Sequence, residues 1–258
     1  MAFIKTEIFE QVVKLTLNRP DKFNSFNREM ALELQAALDK AGQDKNIRAI
    51  LLTGEGKAFC AGQDLTEALD SEGPGIERIV REHYNPIIRK IREVEKPVVC
   101  AVNGVAAGAG ANIALACDVV VGAHSASFIQ AFSKIGLIPD SGGTFFLPRL
   151  IGFGKASALM MLGDKVSATD ALQMGMIYKV SDDLTLQNEA LALARTLSEM
   201  PTKGIGLTKR LLNHSLFSTL ANQLEAERDG QVAAADSYDY KEGVKAFLEK
   251  RKPIFKGE

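Results

Sequence analysis

Val98-Val99-Cys100-Ala101-Val102-Asn103-Gly104-Val105-Ala106-Ala107-Gly108-Ala109-Gly110-Ala111 sets the architecture of this chain. Its first five residues are continuously apolar and rich in β-branched side chains, the pattern of a strand covered on both faces. A loop of mostly small residues follows and ends where a helix can begin. A second stretch is built the same way: Ala49-Ile50-Leu51-Leu52-Thr53 reads as a strand and leads to Ala58-Phe59-Cys60-Ala61-Gly62-Gln63-Asp64-Leu65. Small residues leave peptide N–H groups uncovered, and a helix N-terminus points such donors at any anion nearby. Two loops of this kind converging on one point would polarise a carbonyl and stabilise the enolate or tetrahedral oxyanion made from it. The pattern reads as catalytic, and the rest of the chain has to supply the base.

Outward from these stretches, strands and helices alternate. Residues 4–9 and 11–17 read as strands meeting at Glu10-Gln11, and Asn18-Arg19-Pro20-Asp21-Lys22-Phe23-Asn24 is a turn rich in breakers. Asn27 caps a helix whose Met30, Leu34, Ala37, Leu38 and Ala41 share one face. Gly73-Pro74-Gly75 marks a mobile loop, residues 76–94 a helix stopped at Lys96-Pro97, residues 111–117 a short helix and residues 119–122 a strand. This alternation predicts an α/β fold with crossover connections. Beyond Lys155 the pattern is mostly helical: Ser167-Ala168 opens a helix, residues 175–180 form a last strand, and residues 183–200 form a long amphipathic helix. Pro201 punctuates, and three more helices are predicted over residues 203–213, 218–234 and 240–250. The expected division is a core of residues 1–200 and a helical subdomain of residues 201–258.

Composition removes several function classes. The chain has 258 residues, 46% hydrophobic and 24% charged, which allows one large domain or a main domain with a small appendage. A net charge of −1 gives no field to recruit nucleic acid or an anionic membrane, and neither is expected as a partner. The longest apolar stretch, residues 98–121, is broken by Asn103, Asn112 and Asp118 and is not a membrane span. Glu7 stands too early for a secretory signal, and the unpaired spacing of Cys60, Cys100 and Cys117 predicts reduced thiols in the cytoplasm. His83, His124 and His214 are scattered, so no metal is expected. Gly108-Ala109-Gly110 lacks the third glycine and the spaced acid of a dinucleotide loop.

Five pieces stand in one order: Leu17-Asn18-Arg19-Pro20 with Asn24, Phe59-Cys60-Ala61-Gly62, Ala101-Val102-Asn103-Gly104, Gly136-Leu137-Ile138-Pro139 and Gly142-Gly143-Thr144. Together they resemble the crotonase family, the enoyl-CoA hydratase/isomerase superfamily, over essentially the whole chain. The resemblance implies a spiral of ββα units and a homotrimer or dimer of trimers, with residues 201–258 as the trimerisation part. It also implies an acyl-CoA thioester as substrate and no separate cofactor, since coenzyme A is part of that substrate. The oxyanion hole maps onto the backbone N–H groups of Gln63 and Ala109, so neither needs a particular side chain. Coenzyme A would be held by the backbone around Lys22-Phe23-Asn24 and from Ala58 to Ala61. Lys22 would meet a phosphate or remain a solvated surface lysine. Lys252 and Phe255 are further candidate contacts from the C-terminal helices.

The resemblance also carries a departure. Hydratases of this family use two glutamates to position and activate water, and the matching positions here hold Asn112 and Phe132. An amide and a phenyl ring cannot accept and return a proton at neutral pH, so hydration is not expected. Asp140 remains in the right stretch, either as a helix cap or as the base that faces the acyl chain. Phe132, Ile135, Leu137 and Ile138 would desolvate it and raise its pKa. Asp64 reads foremost as a cap and otherwise as a substrate contact. Asn112 either donates a hydrogen bond near the substrate or Asp140, or packs. Cys60 reads as packing, with no histidine beside it to make a thiolate. Three longer strings, residues 59–65, 132–140 and 240–247, narrow the resemblance to members that convert an aromatic-ring epoxide of an acyl-CoA to its oxepin during phenylacetate catabolism. Asp140 would there move a proton from the α to the γ carbon. A general 3,2-enoyl-CoA isomerase of fatty-acid oxidation and a non-catalytic acyl-CoA binding protein are the alternatives.

Overall fold

A computed structural model describes residues 2–258. The chain opens with a hairpin, β1 (Ile4–Phe9) against β2 (Val12–Leu17), turned at Glu10 with φ +57°. Helix α1 (Arg28–Gln43) is capped by Asn27, whose side chain accepts from the Met30 N–H. Its Met30, Leu34, Leu38 and Ala41 are buried in a stripe of three- and four-residue steps against the hairpin. β3 (Ala49–Gly54) and β4 (Ala58–Cys60) come next, then the four-residue α2 (Leu65–Ala68). The helix expected over residues 76–94 is present with a change of pitch. It runs as α3 (Gly75–Arg78), a π-helical turn (Ile79–Tyr84) and α4 (Asn85–Glu93).

β5 (Val98–Val102), β6 (Val105–Ala107) and α5 (Ala109–Leu115) make up the opening stretch, with α5 beginning two residues before the expected start. β7 (Val119–Ala123) and β8 (Ser127–Ile129) follow, then α6 (Gly143–Ile151) and α7 (Phe153–Leu162). β9 (Lys165–Ser167), α8 (Ala168–Gln173), β10 (Lys179–Ser181) and α9 (Leu186–Ser198) complete the core. Ser167 opens α8 as its cap, whereas the last strand keeps only the final part of its expected span.

Two sheets result. The larger has the order β1-β2-β3-β5-β7-β10, parallel from β2 onward. Every residue of β3 and β5 is buried, which is why these two strands read as unbroken apolar runs. The smaller sheet, β4-β6-β8-β9, was not foreseen: its strands are three residues each, too short to show a period. The chain leaves the large sheet for the small one after β3, β5 and β7 in turn, giving the α/β spiral with a helical C-terminal region.

That region is α10 (Thr202–Ser215), α11 (Leu220–Ala235) and α12 (Tyr238–Leu248). Two buried cations tie it to the core. Lys209 donates to the Lys96 carbonyl at 3.1 Å and to Asp118 at 2.7 Å. Arg48 donates to Thr202 Oγ1 at 2.7 Å and to the Phe255 carbonyl at 2.9 Å. Among the described residues no helix is long and apolar enough to cross a membrane.

Candidate active site

The two small-residue loops meet. Phe26 donates its N–H to the Gly62 carbonyl at 2.7 Å and accepts from the Asp64 N–H at 2.8 Å, which leaves the Gln63 N–H facing the opposite way. Across the gap, Gly108 caps α5 and donates to the Ile129 carbonyl at 2.9 Å, so Ala109 is the first residue of that helix and its N–H has no intrahelical acceptor. Neither the Gln63 nor the Ala109 N–H has a protein acceptor among the described residues. Gly62 sets the spacing. At φ +94° a Cβ placed on it would lie 3.0 Å from the Ala107 carbonyl oxygen and 3.6 Å from the Ala109 nitrogen. Only glycine leaves room there for a carbonyl oxygen to reach both donors.

Beside the donors lies a cavity of about 230 Å³. Leu65, Ile76, Ile79, Phe132, Ile135 and Leu137 make it apolar, and Asp140 is the one carboxylate lining it among the described residues. Burial pushes the Asp140 carboxyl above its ordinary value, and the Ser141 hydroxyl, donating at 2.8 Å, opposes that rise in part. The capping reading of Asp140 is excluded: α6 starts from Gly142 and has no side-chain cap. Asp140 is anchored through its backbone instead. Its carbonyl accepts from the Asn112 side chain at 2.9 Å and from the Gly143 N–H at 2.8 Å.

The other expected residues differ in where they lie. Phe132 and Ala61 line the cavity with Gln63 and Ala109. Asn112 is buried outside the cavity lining and committed at both ends, since its Oδ1 accepts from Gln130 at 2.8 Å. It holds Asp140 by the backbone and does not reach the carboxylate. Asp64 also lies outside the lining. It caps α2 through the Thr66 N–H and pairs with Arg19 at 3.0 Å. Burial pushes its carboxyl up, but Arg19 and the Thr66 N–H outweigh this and hold it below the ordinary value.

At the outer end of the donor loop, the turn with Phe23 and Asn24 is stitched to β4 and its exit. The Phe23 carbonyl accepts from the Ala61 N–H at 3.0 Å, and Asn24 donates to the carbonyl of buried Ala58 at 2.8 Å. Lys22 and Phe23 are exposed on this turn. Lys252 and Phe255 lie elsewhere within the chain: Lys252 pairs with Glu199 at 3.1 Å, and Phe255 lines a separate apolar cavity between α10 and α12. Burial pushes the Cys60 thiol up to about 12, which leaves it protonated and inert.

Tyr84 was missed. Its side chain is fully buried, lines the cavity and donates to Gln63 Oε1 at 2.8 Å. With Ile87 and Ile91 it continues a helical stripe of buried positions, which is the pattern of core. The signal that could have found it is a buried phenol, whose hydroxyl needs a partner.

Comparison with known proteins identifies the family. Residues 7–258 match the enoyl-CoA hydratase/isomerase family. The chain is 50% identical over 261 residues to the 1,2-epoxyphenylacetyl-CoA isomerase of Escherichia coli K12, covering 100% of each chain. It is 43% identical over 254 residues to a Rhodobacter capsulatus protein named as an enoyl-CoA hydratase, covering 98% of each. The fold matches the crystal structure of an enoyl-CoA hydratase from Bacillus anthracis with a TM-score of 0.93 and 34% identity, over 99% of this chain and 100% of that one.

Proposed function

Because this chain belongs to the enoyl-CoA hydratase/isomerase family, whose members act on acyl-CoA thioesters, we propose that it is an isomerase of unsaturated acyl-CoA. It moves a proton from the α to the γ carbon, and its substrate is ring 1,2-epoxyphenylacetyl-CoA, converted to oxepin-CoA in phenylacetate catabolism. The observation that carries the reading is a single desolvated carboxylate, Asp140, in an apolar cavity beside two unpartnered N–H donors. The substrate assignment draws on the E. coli relative. A 3-enoyl-CoA of fatty-acid oxidation is the second candidate, because the same proton shift serves it and the apolar wall carries no group that selects a ring.

The chemistry follows from the weakness of the acid. A thioester α-proton is out of reach of a carboxylate unless the enolate is stabilised as it forms. The Gln63 and Ala109 N–H groups do this at the thioester oxygen, each such donor typically worth about 2.7–4 kcal/mol of barrier. Asp140 takes the α-proton and returns it at the γ carbon, bringing the double bond into conjugation with the thioester. The ring epoxide interconverts with its oxepin by valence isomerisation, and the oxepin then undergoes the same shift to give the ylidene thioester. One acid/base group suffices for both substrates, and only a proton moves, so no cofactor beyond the substrate's own coenzyme A is required.

Coenzyme A lies along the Lys22-Phe23-Asn24 turn and the backbone from Ala58 to Ala61, with Lys22 offered to a phosphate. Residues 201–258 form the subdomain through which copies assemble as a trimer or a dimer of trimers, supported by the exposed Leu220, Leu224, Val244 and Phe247. The test of the isomerase follows a 3-enoyl-CoA to the conjugated 2-enoyl-CoA by ultraviolet absorbance in wild type and Asp140→Asn. The expected outcome is turnover in the wild type that collapses in the variant while acyl-CoA binding is kept. A variant as active as wild type would remove Asp140 from the mechanism.

A further inference from the structure

The side chain of Gln63 is held at both ends, although its backbone alone supplies the donor. Its Oε1 accepts from the Tyr84 hydroxyl at 2.8 Å and its Nε2 donates to Glu67 Oε2 at 2.9 Å. Glu67 fixes which end is which, because an amide oxygen turned towards that carboxylate would meet like charge. The Tyr84 proton is therefore committed to Gln63 and is not on offer to a substrate. Both partners are anchored in turn. Glu67 Oε1 accepts from the Arg28 N–H at 2.8 Å, and the fully buried Tyr84 ring packs edge-on to Phe26 with centroids 5.9 Å apart. Tyr84 closes the π-helical turn, a distortion that swings side chains off the regular register and gathers at functional sites.

The Gln63 N–H shares a planar peptide with the Gly62 carbonyl, so the Phe26 N–H that binds this carbonyl sets the donor's direction from the outer edge of the loop. On the inner edge the Gln63 side chain adds a second tie, which limits how far that peptide can tilt. We infer that Tyr84 and Glu67 are positioning residues which, through the Gln63 side chain, hold the Gln63 N–H on the line of the thioester oxygen. The inference rests on the isomerase reading for the identity of that oxygen.

Two variants and two readouts test it. Tyr84→Phe removes one oxygen and keeps the ring, while Gln63→Ala keeps the N–H and removes the clamp. Bound cinnamoyl-CoA, which has no γ-proton to lose, reports carbonyl polarisation through the red shift of its absorption. Turnover of a 3-enoyl-CoA gives kcat and KM. Both variants are expected to lose most of the red shift, with kcat down roughly ten- to hundredfold and KM hardly moved. In the double variant the loss equals that of Gln63→Ala alone, because the phenol acts only through the amide. A Tyr84→Phe protein that keeps both the red shift and kcat overturns the inference, as do losses that multiply in the double variant or a wild type with no red shift. A wild type that shows the shift without turnover, and loses it in Tyr84→Phe, sinks the isomerase reading and leaves the clamp standing.

Discussion

The two donor loops supply the same kind of N–H and are held by opposite means. The Gln63 loop is tied by polar side chains: Asp64 to Arg19, Gln63 to Tyr84 and Glu67, and Asn24 to the Ala58 carbonyl. The Ala109 loop is set by packing. A Cβ on Gly110 would lie 2.4 Å from the Cys60 carbonyl oxygen, so α5 rests on β4 with no space for a methyl group. From the same helix Asn112 reaches the Asp140 carbonyl, so the packed side positions both Ala109 and Asp140. One loop answers to lost hydrogen bonds and the other to added atoms.

The largest effect should come from breaking the packed side. Gly110→Ala drives a methyl into backbone that cannot yield, and α5 must shift with both Ala109 and Asn112. Overpacking of this kind costs about 1–3 kcal/mol of stability, and a displacement near 1 Å costs roughly a hundredfold in turnover. Thermal unfolding and the absorbance assay measure the two. A variant with wild-type activity would mean that the second donor is not held by this contact.

A smaller effect should follow on the polar side. Asparagine caps as well as aspartate, so Asp64→Asn removes chiefly the charge that pairs with Arg19, at about 0.2–1 kcal/mol. Because the folded Asp64 pKa lies below its ordinary value, this stability is present above that ordinary value and is lost as pH falls through the folded one. Denaturant titrations of variant and wild type should therefore differ at neutral pH and converge in acid. A gap that persists in acid would show that the charge pair is not its source.

The smallest effect is a displaced pH profile that separates the two sides. On the proposed mechanism Asp140 works deprotonated, and burial raises its pKa, so activity should fall as pH drops through a value above the ordinary one for an aspartate. Ser141→Ala removes the hydroxyl that favours the charged form and should move this acid limb to higher pH. Asp64→Asn should leave the limb in place. A limb that follows Asp64 would assign the titration to the wrong carboxylate.

Much of this architecture is legible in the amino-acid order, and the limits have physical causes. β3 and β5 are buried on both faces and therefore read as apolar runs, while Asn27 and Ser167 mark helix starts by their capping chemistry. The small sheet is not legible, because three-residue strands such as Ala58–Cys60 and Val105–Ala107 carry no period and look like loop. The placing of Gln63, Ala109 and Asp140 came from the resemblance, and the cavity joins all three. Tyr84 was hidden because a buried phenol on a helix face looks like core, and no pattern announces the π-helical turn that carries it. The role of the Gln63 side chain was discounted for a sound reason, since its N–H is backbone. What adds to the hold of Phe26 on that N–H is a set of contacts from Arg28, Glu67 and Tyr84, which only the fold brings together.

On the proposed mechanism a single carboxylate beside two donors isomerises and does not hydrate. The most direct test of that mechanism gives the wild-type protein a 3-enoyl-CoA and, separately, the conjugated 2-enoyl-CoA, and quantifies the products by chromatography. The predicted result is rapid formation of 2-enoyl-CoA from the first and no 3-hydroxyacyl-CoA above the uncatalysed background from either. Formation of 3-hydroxyacyl-CoA at a rate matching isomerisation would contradict it, because water would then be activated in a cavity lined, among the described residues, by one carboxylate.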